Sequence, residues 1–134
     1  MWTFIYLALF FIGLFSLLMI FQWIRDYIIL RNRRGDKKED FIDYFVREGI
    51  SESLALSVYH YLQNWVNFKD FPARPQDNVA DIYGIAEEEL DDLIIEIAES
   101  NNLEIPSNTD YWGKPVVTVE DLIRFIASFP VKRI

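Results

Sequence analysis

"GIAEEELDDLIIEIAESNNLEIP", Gly84 to Pro106, reads as one amphipathic helix with its punctuation in place. Leu90, Leu93, Ile94, Ile97 and Ala98 recur at the spacing of a single buried helical stripe. Five carboxylates, Glu87, Glu88, Glu89, Asp91 and Asp92, crowd its first turns, where the positive end of the helix dipole favours negative charge. Gly84 stands before the helix, Asn101 and Asn102 fit its end, and Pro106 prevents its continuation. A helix with one apolar stripe needs partners to cover it, and the flanking sequence supplies them.

On the C-terminal side, "LEIPSNTDYWGKPVV" has no helical period and reads as loop. Thr118 then caps "VEDLIRFIASF", with Asp121 in the place of the capping-box acid. Leu122, Ile123, Phe125, Ile126 and Phe129 form its buried side, and Pro130 stops it. On the N-terminal side, Ser51 is placed to cap "ESLALSVYHYLQNWV", with Leu54, Val58, Tyr61, Leu62 and Trp65 on its buried face. "NFKDFPARPQDNV" is an irregular loop that packs Phe68 or Phe71 against the bundle, and Asp77 begins a short turn through Val79, Ile82 and Tyr83. Before these lies a short amphipathic helix, "EDFIDYFVREG", with Phe41, Ile42, Phe45 and Tyr44 towards one side and Gly49 placed to close it in the left-handed conformation. No strand pair is legible, so the fold class is all-α.

The remaining stretch is of a different kind. From Met1 to Ile24 there is no charged side chain, and the run exceeds the roughly 20 apolar residues that cross a hydrocarbon core. It lacks the basic start, shorter run and small-residue cleavage site of a secretory signal. Trp2, Tyr6, Trp23 and Tyr27 sit near its ends, where interfacial aromatics belong. The expectation is one transmembrane helix over residues 1–30. A basic neck with a short amphipathic helix follows over 31–50, and a helical domain over 51–130. Arg25, Arg31, Arg33, Arg34, Lys37 and Lys38 follow the span and no basic residue precedes it. The positive-inside rule therefore expects a cytoplasmic C-terminal domain and an outside N-terminus. The same six side chains are candidates to hold anionic lipid headgroups.

Charge reverses after the neck. From Glu39 onward, nineteen Asp and Glu stand against seven Lys and Arg. An acidic head argues against nucleic acid and favours partners with a basic surface. With no cysteine there is neither a disulfide nor a thiolate metal site. His60, the single histidine, has no second ligand nearby in the sequence and reads as a surface or packing residue; no metal and no cofactor is expected.

The order of these helices, with "VADIYGIAEEELDDLIIEIAESNNLEIP" and "VVTVEDLIRFI" (Val116 to Ile126), resembles an acyl carrier protein over about Ser51 to Phe129. Gly84 falls on that family's glycine, Ile105 and Pro106 on its Ile-Pro exit, and Thr118 and Val119 on the start of its last helix. "NTDYWGKP" looks like additional loop material. The sequence also looks like small carrier-like proteins of bacteria, which would place the span in a bacterial inner membrane. In this register the family's aspartate is Ala86 and its phosphopantetheine serine is Glu87. Attachment needs a hydroxyl to attack the coenzyme A phosphate, and Ile85 to Asp92 holds no Ser or Thr. The resemblance implies the fold, while the residues argue against the chemistry.

Three readings of Glu87, Glu88, Glu89, Asp91 and Asp92 stay open: favourable helix-dipole electrostatics, a recognition face for a basic partner, and a weak carboxylate cation site. For the whole chain the expectation is a non-enzymatic, membrane-anchored adaptor that presents this helix to a cytoplasmic protein. An accessory subunit of a larger membrane complex, with Gly13 and Ser16 marking a close helix contact, is the alternative. A carrier with an unconventional attachment site is the second alternative.

Overall fold

A computed structural model describes residues 1–66, 68–107 and 115–132. Residues 108–114, most of the loop material set apart above, lie outside the described residues. Six helices follow one another: α1 (Trp2–Asn32), α2 (Lys38–Arg47), α3 (Glu52–Gln63), α4 (Val79–Tyr83), α5 (Glu87–Ser100) and α6 (Val119–Ala127). Among the described residues the only β-type pairings are two isolated bridges, Asn78 with Thr118 and Leu103 with Val131. The chain divides into two compact units, Met1–Arg34 and Gly35–Ile134.

The first unit is α1 alone. Its 31 residues make a rod of about 46 Å at the α-helical rise. The apolar part is long enough by itself to cross a membrane, by length and composition. Leu, Ile, Phe and Met side chains are exposed on every side of it, as expected of a helix with no polar face. Trp23 and Tyr27 stack with ring centroids 6.3 Å apart near its C-terminal end. The helix stops at Asn32, and Gly35 takes a φ of +95° in the turn that follows.

The second unit is built round α3, which packs against α2, α5 and α6, while α5 also packs against α6. Every residue assigned above to the buried faces of α5 and α6 is buried, and Val119 joins them. Leu54, Ala55, Val58, Tyr59 and Leu62 supply α3's contribution. The short helix placed in the neck belongs to this core. Phe41 and Phe45 are buried, their rings 5.0 Å apart edge to face, and Phe41 meets Tyr59 at 5.2 Å. Tyr44 turns outward instead, and its hydroxyl donates to Glu120 (3.2 Å). Gly49 closes α2 with φ +84°.

Three local expectations are corrected. Ser51 occupies the N-cap position of α3, but its side chain makes no capping bond. Tyr61 and Trp65 are half-buried, and Tyr59 goes inside in their place. Its hydroxyl donates to the Phe71 carbonyl (3.3 Å), which also accepts from the Gln63 side-chain amide (2.7 Å). Asp77 does not start α4: Asn78 caps it, its Oδ1 accepting from the N–H groups of Ala80 and Asp81. Asp77 is itself buried, its carboxylate accepting from the Arg74 N–H (2.9 Å) and the Tyr83 hydroxyl (2.8 Å). Its carbonyl accepts from Val119 N–H (2.9 Å). One buried residue thus ties the long loop to both α4 and α6.

The start of α6 is a complete capping box. Thr118 Oγ1 accepts from Asp121 N–H (3.1 Å), and the Asp121 carboxylate accepts from the N–H groups of Thr118 (3.1 Å) and Val117 (3.2 Å). Those hydrogen bonds, the Thr118 N–H first among them, hold the Asp121 carboxyl below its ordinary range. A carboxyl depressed in the folded state stabilises the protein above its unfolded pKa, and that contribution drains away as pH falls through the folded value. Asp121→Ala should therefore cost about 1 kcal/mol at neutral pH. Urea unfolding should show the difference shrinking as pH falls below the ordinary carboxyl range and through the depressed Asp121 value.

Candidate functional site

The acidic end of α5 begins with a change of direction. Gly84, at φ +67° and ψ 25°, closes α4 in the left-handed region, where a Cβ is disfavoured. Ile85 then turns into the core, and Ala86 takes the N-cap position of α5. Alanine has no capping oxygen, so Glu89 reaches back to accept from Ala86 N–H (3.1 Å). One of the five carboxylates is thereby engaged in holding its own helix.

All five acidic side chains are exposed. In the head Arg74 pairs with Asp36, and Arg124 pairs with Glu48 and Glu120, all of them away from α5. The acidic residues do not form one patch. Glu87 and Asp91, one turn apart, lie on a groove of about 510 Å³ walled by Val79, Ile85, Ile94, Val116 and Phe125. Glu89 and Asp92, joined by Glu96, rim a second groove of about 340 Å³ whose other wall is Tyr61 in the last turn of α3 with Asn64 and Trp65 just beyond it. Glu88 lines neither. Among the described residues no three His, Asp or Glu side chains gather as a metal site. His60 is exposed, its ring against the edge of Tyr59.

Serine hydroxyls near α5 are engaged structurally. Ser100 donates to the Ile97 carbonyl (2.9 Å), and Ser53 and Ser57 donate to the Asn101 side chain (3.1 and 3.4 Å). At residue 87 an exposed carboxylate lines the first groove.

The basic set after the span is less uniform than its sequence. Arg25, Arg31, Arg34 and Lys37 are exposed and Lys38 is half-buried, but Arg33 is buried at 7% exposure. The aromatic wall of the second groove was not anticipated, because Tyr61 and Trp65 read as core. Their i, i+4 spacing on the flank of the α3 stripe, opposite Glu96, is the signal that marks it. Compared with known proteins, the chain matches no family model, no curated protein and no solved structure.

Proposed function

We propose that this chain is a non-enzymatic adaptor, anchored in a membrane by α1, whose head docks a protein with a basic surface through the N-terminal half of α5. The observation that carries the reading is the exposed set Glu87, Glu88, Glu89, Asp91 and Asp92, for which no basic side chain among the described residues is an ion-pair partner. Uncompensated charge of one sign steers an oppositely charged partner and orients it on arrival. Likeness to an acyl carrier supports the same use of the helix: α3, a long loop, α5 and α6 follow in the carrier order, with Gly84 leading α5. Glu87 in the serine position supports docking without cargo. The excess of Lys and Arg after α1 supports a cytoplasmic head in a bacterial inner membrane.

Reversing charge at Glu88 and Asp92 together (Glu88→Lys, Asp92→Lys) should weaken partner capture from solubilised membranes at least tenfold. The loss should be larger at low salt, since exposed charges act over a Debye length. Capture that is indifferent to the reversal removes the acidic-face reading. A second reading, an accessory subunit held by its span, is favoured by α1 being apolar all round with open space at Gly13. Exchanging Met1–Ile24 for an unrelated apolar helix separates the two, because an adaptor keeps its partner and an accessory subunit loses it.

A further inference from the structure

The two grooves beside α5 differ in chemistry. The first is lined mainly by aliphatic side chains, with Phe125 buried at 9% exposure as the one aromatic among the described residues that line it. The second sets two aromatic rings, Tyr61 and Trp65, against three carboxylates, Glu89, Asp92 and Glu96. Leu93, at 4% exposure, is shared between its lining and the core. Tyr61 and Trp65 are only half-buried, so ring surface remains available to a visitor. Among the described residues no basic side chain lines the groove. Glu89 is partly engaged by Ala86, whereas Asp92 and Glu96 have no hydrogen bond or ion pair among the described residues.

We infer that this groove between α3 and α5 receives an arginine side chain of the docked protein, the guanidinium lying against the Trp65 and Tyr61 rings and donating to Asp92 and Glu96. The inference rests on the docking reading above and names the side chain that the partner must present. An aromatic face attracts a cation through its quadrupole, and a carboxylate accepts from the guanidinium's fixed fork of donors. Arginine satisfies both at once because it is planar, permanently charged and more weakly hydrated than an ammonium. Lysine offers a point charge that gives up more hydration on entering. An uncharged side chain gains nothing from the three carboxylates. The groove is partly enclosed by two packed helices, where a paired charge is worth more than on an open surface.

The test uses the full chain in a non-ionic detergent at low salt. Trp2, Trp23 and Trp112 are changed to Phe, so that Trp65 alone reports. The probe is an acetylated, amidated Gly-Arg-Gly tripeptide, compared with its lysine and citrulline counterparts; citrulline keeps the shape of arginine without its charge. The arginine peptide should change Trp65 fluorescence saturably, with a Kd of roughly a few millimolar. Lysine should bind at least threefold more weakly and citrulline should give no saturable response. Asp92→Asn with Glu96→Gln should weaken the arginine peptide at least tenfold. Glu87→Gln with Asp91→Asn, on the other groove, should leave it within twofold.

Equal weakening by both pairs, or a citrulline response equal to that of arginine, overturns the groove assignment. Docking by the acidic helix then still stands on the capture experiment. Conversely, capture that is indifferent to the Glu88 and Asp92 reversal removes the docking reading, and the partner's arginine with it.

Discussion

Phe45→Ala should lower the unfolding free energy of the head by about 3–5 kcal/mol, the range for deleting a buried aromatic ring. Phe45 is fully buried, and the rings of Phe41 and Tyr44 lie 5.0 and 5.1 Å from its own. Removing it opens a cavity between α2 and α3 that rigid neighbours cannot fill by relaxing. A small domain holds only about 5–15 kcal/mol in total, so the variant should be partly unfolded at modest temperature. Tyr44→Ala, one residue earlier, deletes a ring that is 38% exposed and should cost far less, under about 1 kcal/mol. Urea unfolding of the full chain in non-ionic detergent, followed by helical ellipticity, measures both. Were the two variants equally stable, α2 would be a detachable neck and not part of the core.

That contrast marks where sequence periodicity stops being informative. On α5 and α6 the apolar residues fall on one narrow stripe, and each has only one way to face a core. Leu90, Leu93, Ile94, Ile97 and Ala98 are accordingly all inside. Along α3 and just past its end, Tyr59, Tyr61 and Trp65 offer alternatives of similar hydrophobicity, and helical spacing cannot choose among them. The choice is made from a distance: Phe41 packs against Tyr59 from α2, and the Phe71 carbonyl gives its hydroxyl a partner. Burying Tyr59 therefore leaves no orphaned polar group. The same holds for Asp77 and Asn78. Both are capping residues by type, and the buried Tyr83 hydroxyl claims Asp77, which leaves the cap to Asn78.

The candidate site divides in the same way. That the five carboxylates Glu87, Glu88, Glu89, Asp91 and Asp92 are exposed was legible, because an apolar stripe fixes its opposite face as solvated. Their separation onto two grooves was not, since it depends on where α3 and the segment before α6 lie against α5. Thus Asp91 and Asp92, adjacent in sequence, line different cavities. The six basic residues from Arg25 to Lys38 show the converse limit. A charge count treats them as equal, but Arg33 is buried and Arg34 is exposed.

Arginine at both Phe10 and Phe15 should release the chain from membranes. Each arginine near the centre of a span costs about 2.5–3.5 kcal/mol of insertion free energy, so the pair is expected to cost roughly 5–7 kcal/mol. The two positions lie on opposite sides of α1, and one neighbouring helix could not shelter both. Phe10 and Phe15 are 64% and 66% exposed. Wild type should stay with the membrane pellet after an alkaline wash, and the double variant should move to the supernatant. A double variant that still pellets means that something other than α1 holds the chain there. Orientation can be read in the same preparation because the chain has no cysteine, and a single introduced thiol reports without background. Thr3→Cys should react with a membrane-impermeant maleimide on intact cells. Ala127→Cys, exposed on α6, should react only after lysis. The opposite pattern would put the acidic helix outside the cell, where the basic flank of α1 argues it should not be.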